Sequence, residues 1–448
     1  SLLPLRAPMK YAIVTYGCQM NEADSRLIAA VLDRAGWQES PGDDRADLIV
    51  VNTCSVREKP EQKVRSLLGT LRQRKRDRPG LLIAVVGCMA QREGLRLARR
   101  SPHVDVVLGT RCSHRIVEAL DRALSGERPV VITDLAADAA AVRCEVEESA
   151  EQPAPLRAFV PVILGCTNFC AYCIVPFVRG RETSRPPEEI RREVESLVSR
   201  GTREVTLLGQ NVLAYGRDLR ARTTFSDLLA QLNDVPGLWR LRFTTCHPRD
   251  ADWDLIDAIA NLSRVCEHIH LPLQAGTDKL LSDMNRGYTV EEYQHVMERL
   301  RASVPGIAIT TDIMVGFPGE TDEDYEESLR LYARLRFDAA FTFAYSVRPG
   351  TRAADRPDQV PHEVKIARLN RLIQVQNRIT RDINAAEVGR VVEVLVDGSA
   401  EKGEGLLAGK ARNNKQVVFP GPLRLTGSLT PVRLTSSDLW GFHGELLP

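Results

Sequence analysis

Cys166, Cys170 and Cys173 stand at CxxxCxxC spacing in the segment Val162-Ile163-Leu164-Gly165-Cys166-Thr167-Asn168-Phe169-Cys170-Ala171-Tyr172-Cys173. Three thiolates on one loop can hold three irons of a cubic 4Fe-4S cluster, and no fourth cysteine stands nearby in the chain to close it. An iron left open in this way can take a substrate or a cofactor. A closed zinc knuckle would need a fourth ligand at short spacing, and His247 or His270 would have to come from far along the chain. Unliganded thiols this close together would be an oxidation liability, which argues against chance clustering.

A second set of cysteines emerges from the elements that precede it. Four short apolar runs, Tyr11 to Tyr16, Leu48 to Val51, Leu81 to Val86 and Val104 to Leu108, alternate with charged stretches of helical period, as in a parallel sheet wrapped by helices. The first three runs end close to a cysteine, in Tyr16-Gly17-Cys18, Asn52-Thr53-Cys54 and Gly87-Cys88. Ligands of open α/β sheets gather at the carboxyl ends of strands, so Cys18, Cys54 and Cys88 are expected to converge as a second three-cysteine site. Each alone could simply be a buried, packing cysteine. Their repeated placement just past a strand favours a metal site. Cys112, Cys144, Cys246 and Cys266 show no such pattern and are expected to be structural.

Composition sets limits on where such sites could work. At 448 residues the chain should form two or three cores. Ten cysteines, no signal peptide and no long apolar run point to a reducing, cytoplasmic setting without membrane spans. Ser1 to Pro8 is too short and broken for targeting, and Met9 is the expected natural start. With 60 basic and 59 acidic residues there is no strong global field, so any nucleic-acid site must be a local patch.

Residues 141–156 lose periodicity and gain acid and proline, as a linker does. Six strand candidates follow: Phe159 to Leu164, Glu204 to Leu208, Leu241 to Thr245, His268 to Leu273, Ala308 to Val315 and Ala339 to Ser346. Helical patterns such as Pro187 to Arg200 and Thr289 to Ala302 separate most of them, which suggests a partial (β/α)6 barrel with its site at the carboxyl-terminal rim. The residues at that rim are the cysteine loop, Gln210 and Asn211, Cys246 to Pro248, Gln274 to Gly276, and Gly316 to Glu320.

The motifs YGCQMNEADS (16–25), NTCSVREKPEQKV (52–64), GCTNFCAYCIVPFVRGRETSR (165–185), TTDIMVGFPGET (310–321) and YSVRPGT (345–351) together resemble the radical S-adenosylmethionine enzymes, and among them the methylthiotransferases. The resemblance covers nearly the whole chain. It implies that residues 9–140 form the amino-terminal domain, with an auxiliary 4Fe-4S cluster on Cys18, Cys54 and Cys88. Residues 157–384 would form the radical domain, whose Cys166, Cys170 and Cys173 hold the cluster that binds S-adenosylmethionine. Two S-adenosylmethionine molecules would serve each turnover, one as the source of a radical and one of a methyl group, with sulfur delivered through the auxiliary cluster. Cofactor contacts are expected from Tyr172, Gln210, Asn211, Gln274, Asp312, Gly316 and Gly319, and contacts to cofactor or RNA phosphate from Arg179 and Arg181.

Gln19-Met20-Asn21 after Cys18 and Ser55-Val56-Arg57-Glu58-Lys59 after Cys54 resemble the MiaB-type branch, which acts on N6-isopentenyladenosine at position 37 of the tRNA anticodon loop. Methylthiolation of threonylcarbamoyl-adenosine or of a ribosomal-protein aspartate is the alternative within the class. A non-catalytic iron-sulfur protein that binds RNA or senses redox state is the alternative outside it. Residues 385–448 show short β-like runs, Val391 to Val396, Lys415 to Phe419, Leu423 to Leu425 and Val432 to Thr435, similar to the family's small TRAM β-barrel. Lys410, Arg412 and Lys415 are its expected RNA contacts. Arg72, Arg74, Lys75, Arg76 and Arg78 read as a solvated face, whereas Lys365, Arg368, Arg371, Arg378 and Arg381 could track a phosphate backbone. The remaining expected partners are a low-potential electron donor such as flavodoxin or ferredoxin and a donor of sulfide or iron-sulfur units, with the chain itself a monomer.

Overall fold

The computed structural model describes residues 8–55, 58–136 and 153–447. Most of the expected linker, with Cys144, lies outside the described residues. The first unit is a parallel sheet of six strands: β1 (Lys10–Thr15), β2 (Gln38–Glu39), β3 (Leu48–Thr53), β4 (Leu82–Gly87), β5 (Val106–Leu108) and β6 (Val130–Ile132), in the order β2-β1-β3-β4-β5-β6. Every residue of β3 and β4 is buried, and their β-branched side chains pack into apolar cores on both faces of the sheet. The four expected strands form its interior. The edge strands β2 and β6 were not expected, because two polar residues or a three-residue run carry too little periodicity to be read. The bond order places Cys18, Cys54 and Cys88 beyond the carboxyl ends of three adjacent strands, β1, β3 and β4.

The second unit begins with β7 (Arg157–Pro161), after which the expected single strand through Leu164 is broken. Pro161 has no amide hydrogen to donate, and β8 (Ile163–Leu164) leaves the sheet to pair antiparallel with β9 (Thr183–Ser184). This two-stranded ribbon closes the base of the cysteine loop. Strands β10 (Glu204–Leu208) and β11 (Arg240–Phe243) join β7 in one parallel group, and β12 (His268–His270), β13 (Ala308–Val315) and β14 (Ala339–Ala344) form another. A parallel bridge between Leu241 and Val265 links the groups into an incomplete six-stranded barrel. The intervening helices start where the sequence signals them: Thr289 and Thr321 each accept from the backbone three residues on, completing capping boxes with Glu292 and Asp324.

A helix from His362 to Glu387 leads three residues past the expected boundary into a closed barrel. Its strands are β15 (Val391–Ser399), β16 (Leu406–Ala411), β17 (Gln416–Pro420), β18 (Leu429–Ser437) and β19 (Gly441–Leu446), in the order β15-β16-β17-β19-β18. Leu423–Leu425 is a turn of 3-10 helix instead of the expected strand, started by Pro422 with its fixed φ. Strands β16 and β19 escaped the sequence reading because glycines interrupt their alternation.

The small barrel docks beneath the amino ends of the radical-domain strands, opposite the cysteine loop. Arg240, fully buried, donates to the carbonyls of Glu393 and Lys410 at 2.8 and 2.6 Å, and Arg242 donates to those of Ala411 and Arg412 at 2.8 and 2.7 Å. Arg412 forms a forked pair with Glu267, and Lys415 bridges Asp338 and Glu387 at 2.9 and 2.5 Å. Lys410, Arg412 and Lys415, expected to contact RNA, all lie at this joint. Two of these cations are engaged by carboxylates at the joint, and the third lies on β16 with its carbonyl bonded to Arg240. On the helix expected to track phosphate, Lys365 and Arg368 are buried, Arg368 on Glu320 and Asp322 at 2.6 and 2.7 Å, and Arg371 pairs with Glu326. Arg378 and Arg381 remain exposed. In the other basic run, Arg74, Lys75 and Arg78 pair with Asp43, Asp105 and Asp47, while Arg72 and Arg76 are exposed. Among the described residues no helix is long and apolar enough to cross a membrane.

Arg240 donates to the Lys410 and Glu393 carbonyls and to Glu393 Oε1, so its removal leaves three acceptors at the joint without that donor, while buried Glu204 keeps its pairs with Arg157 and Arg242. Arg240→Ala should lower unfolding stability by about 2 kcal/mol, read as a fall in the urea midpoint, and should expose the chain between the long helix and β15 to limited proteolysis.

Candidate metal centres

At the sheet site, Asn21 and Asn52 tie the cysteine turns together. The Asn52 side chain donates to the Asn21 carbonyl at 2.8 Å, and that of Asn21 donates to Asn52 Oδ1 and the Thr53 carbonyl at 2.9 and 3.1 Å. Asn21 Oδ1 in turn accepts from the Cys18 amide at 3.3 Å, so the first turn is fixed against the second. Cys88 follows Gly87, whose φ of +92° leaves no room for a side chain: a Cβ there would lie 2.5 Å from the Thr53 carbonyl oxygen. Cys54 and Cys88 are buried and Cys18 is exposed.

In the radical loop, Cys173 donates its amide to the Cys170 carbonyl at 2.9 Å, which folds the CxxC turn. Gln210 Oε1 accepts from the Gly165 amide at 2.5 Å, and Glu182 holds Thr167 through both its amide and hydroxyl, at 3.1 and 2.9 Å. Asn285 donates to the carbonyls of Asn168 and Phe169, both at 3.1 Å. Arg286, buried, reaches Cys170 Sγ and Tyr172 Oη at 3.4 Å each, and donates to the Pro272 carbonyl at 2.8 Å. Burial pushes the Cys166 thiol up to about 11 and the Cys173 thiol up to about 12, with neighbouring Cys170 adding to both.

The two cysteine sites share a wall. Cys88 packs against Ile174 and Val178, which immediately follow Cys173 in the chain. Arg179 extends from the same short helix, Val175–Arg179, into the sheet site, where it donates to Asp24 Oδ2 at 3.1 Å and lies close enough to Cys88 for their charges to interact. Burial alone would lower its basicity, but the charges of Cys88, Asp24 and Cys18 outweigh that and raise it. Arg179 is thus turned toward the sheet cysteines, away from the cofactor or RNA phosphate expected from the sequence. Arg181 is exposed.

The other expected cofactor residues divide. Asn211 is buried, donating to Asp250 at 2.6 Å and accepting from the His247 amide at 3.1 Å, and so holds the loop after β11. Gln274, at φ +72°, bridges β13 through its backbone. A side chain at Gly316 would meet the stem of Lys365, and one at Gly319 would meet Arg356 and Asp358, so on that side of each glycine the chain packs against itself. Asp312 is partly exposed on β13, 3.5 Å from His270 Nε2 and in register with Phe341 of β14, whose side chain is 53% exposed. Arg286, Asn285, Asp24 and Arg111 were missed. Asn285-Arg286-Gly287 is a turn-forming triplet with a lone cation, a signal too common to select by itself.

Both donor sets fit iron-sulfur clusters. Each is three soft sulfurs on fixed turns, with a buried arginine beside at least one of them to offset negative charge. Among the described residues no three His, Cys, Asp or Glu side chains close around a single metal ion. A cluster that anchors each thiolate on a different iron does not require them to.

The chain matches the Radical SAM superfamily over residues 160–332 and an uncharacterized protein family, UPF0004, over residues 10–109. It is 46% identical over 443 residues to the tRNA-2-methylthio-N(6)-dimethylallyladenosine synthase of Carboxydothermus hydrogenoformans, covering 98% of this chain and 100% of that one. To the protein of the same name from Pelotomaculum thermopropionicum it is 45% identical over 439 residues, covering 98% and 97%. Among solved structures it is similar to the radical S-adenosylmethionine methyltransferase TsrM of Kitasatospora setae, with a TM-score of 0.55 and 14% identity over 78% of this chain and 77% of that one. That last likeness concerns the fold alone.

The raised thiol values give a pH dependence. Relative to the ordinary value of 9.0, the folded, metal-free chain retains the Cys166 and Cys173 protons to about 11 and about 12. Their contribution to stability is therefore fully present below the ordinary value and lost as pH rises through the folded values. Alkylation of Cys173 in metal-free protein should be slow at neutral pH and rise about tenfold per pH unit over that interval. Peptide mass mapping after timed iodoacetamide labelling measures it, and a flat profile would contradict the burial.

Proposed function

Because this chain belongs to the family of the tRNA-2-methylthio-N(6)-dimethylallyladenosine synthases, we propose that it methylthiolates carbon 2 of N6-isopentenyladenosine at position 37 of tRNA. The observation that carries this reading is the shared wall: two three-cysteine sites, from different domains, packed on the same short helix. Cys166, Cys170 and Cys173 hold the cluster at which S-adenosylmethionine binds, and Cys18, Cys54 and Cys88 hold the auxiliary cluster. When bound, these groups and two S-adenosylmethionine molecules per turnover supply the radical, the sulfur and the methyl group.

The chain's own residues orient and exclude. Ile174 and Val178 keep water from the space between the sites, and Arg286 fixes Cys170 and Tyr172 against the barrel wall. Asp312, His270 and Phe341 offer a carboxylate, an imidazole and an aromatic face to a base displaced from its stack. With Arg412 and Lys415 paired with carboxylates at the domain joint, we assign recruitment of tRNA by the carboxy-terminal region to the exposed Arg378, Arg381 and Trp440. The Trp440 indole is 82% exposed and shares a surface depression with Arg381. Asp438 Oδ1 braces its turn, accepting from the Trp440 and Gly441 amides at 2.6 and 2.9 Å. An exposed indole beside a guanidinium suits base stacking with a phosphate contact. A cytoplasmic monomer served by a flavodoxin- or ferredoxin-like donor and a sulfide source completes the proposal.

Anaerobic turnover of the iron-reconstituted chain with dithionite, S-adenosylmethionine and isopentenylated tRNA, followed by nucleoside mass spectrometry, tests the reading. Wild type should give the methylthio nucleoside and 5'-deoxyadenosine. Cys54→Ala should retain 5'-deoxyadenosine and lose the methylthio product, whereas Cys173→Ala should lose both. Continued cleavage in the second variant would sink the assignment. Trp440→Ala should weaken tRNA binding by about 1–3 kcal/mol, seen in an equilibrium binding titration, with cofactor cleavage in the absence of tRNA unchanged.

A further inference from the structure

Arg179 belongs to the radical loop yet serves the other domain. It lies six residues beyond Cys173, and its side chain is only 5% exposed. In the opposite direction Arg111 of the sheet domain crosses to the radical loop. It donates from Nε to the Arg179 carbonyl at 3.0 Å, from Nη1 to Thr183 Oγ1 at 3.1 Å and from Nη2 to the Arg181 carbonyl at 2.5 Å. Thr110 Oγ1 adds a bond to the Val178 carbonyl at 2.6 Å. Each domain therefore inserts an arginine into the other. Arg111 meets carbonyls and a hydroxyl, as a structural clamp would. Arg179 meets a carboxylate beside the helix face that packs on Cys88, an arrangement that packing alone does not require, since its neighbours Ile174 and Val178 are apolar. Burying a charge is costly, and an apolar side chain would fill the same wall.

We propose that Arg179 is a positioning residue for the sheet cysteines: its guanidinium offsets the negative charge of the cluster on Cys18, Cys54 and Cys88, and Asp24 moderates that effect. The electron affinity of one site is then set by the loop that carries the other. This rests on the assignment of those cysteines to a cluster under Proposed function. Three thiolates carry more negative charge than the core offsets, and reduction adds another electron, so a nearby cation favours the reduced form. Cys54 and Cys88 are buried, which leaves little solvent to screen the effect.

The test uses the full chain with Cys166, Cys170 and Cys173 replaced by alanine, so that only the sheet site can be loaded. Iron and sulfide content and an EPR-monitored redox titration are compared for Arg179→Met, Arg179→Lys and Asp24→Asn. Arg179→Met should shift the midpoint potential to more negative values, Asp24→Asn should shift it the opposite way, and Arg179→Lys should restore most of the parent value. A residue that only fills space would reduce cluster content for Met and Lys alike without opposed shifts, and that result overturns the proposal. Should the Met variant fail to retain a cluster, a shift to more positive potential in Asp24→Asn supports the proposal and an unchanged or more negative potential overturns it. A parent protein that takes up no cluster overturns the assignment of the cysteines themselves, a failure distinguishable from equal potentials in loaded variants.

Discussion

Two sheets built by separate segments can present their strand ends to one another only if their mutual rotation is fixed, and here an exchange of arginines fixes it. Arg111 grips the carbonyls on the far side of the cysteine loop, and Arg179 returns from that loop into the sheet domain. Interfaces between domains of one chain are commonly polar and allow relative motion. This one has buried, directional bonds at its centre and apolar contact between Cys88, Ile174 and Val178 beside them. Rotation about it would break charge-assisted bonds on both sides at once, so the sites share one frame although they come from different folding units.

Each cysteine set also has its own buried guanidinium. Arg286 serves Cys170 through a network that includes Tyr172, Tyr288 and the Pro272 carbonyl, and Arg179 stands near Cys88 while paired with Asp24. Burial drives thiols toward the neutral form, which is the wrong form for metal binding. A permanent cation within reach of sulfur counters that without admitting water. The arginines differ in their company: phenols and carbonyls beside one, a carboxylate beside the other.

The cysteine sites were legible in the sequence because strand-end placement is a local signal: a run of β-branched residues, a turn, then a cysteine, repeated in β1, β3 and β4. The incomplete barrel was legible for the same reason, with β10 and β13 matching their expected bounds. What failed depends on partners far along the chain. Arg412 reads as a basic loop residue until Glu267, 145 positions away, is found beneath it. Gly316 and Gly319 read as room for a ligand until Lys365 and Arg356 are found beside them. The side chain of Arg179 could be aimed only once Thr110 and Arg111 were seen to hold its helix. A charge is visible in sequence, but its counter-charge is a property of the fold.

The docking of the small barrel has a consequence for length. It is bolted to the amino ends of the radical-domain strands, and the cysteine loop lies at their carboxyl ends, so the longest of those six strands, β13 with eight residues, separates the two by on the order of 25 Å. An RNA gripped at Trp440 must therefore reach along the outside of the barrel before its loop can enter the mouth. On the proposed reading, that distance makes the fold a ruler for the stem-loops it accepts.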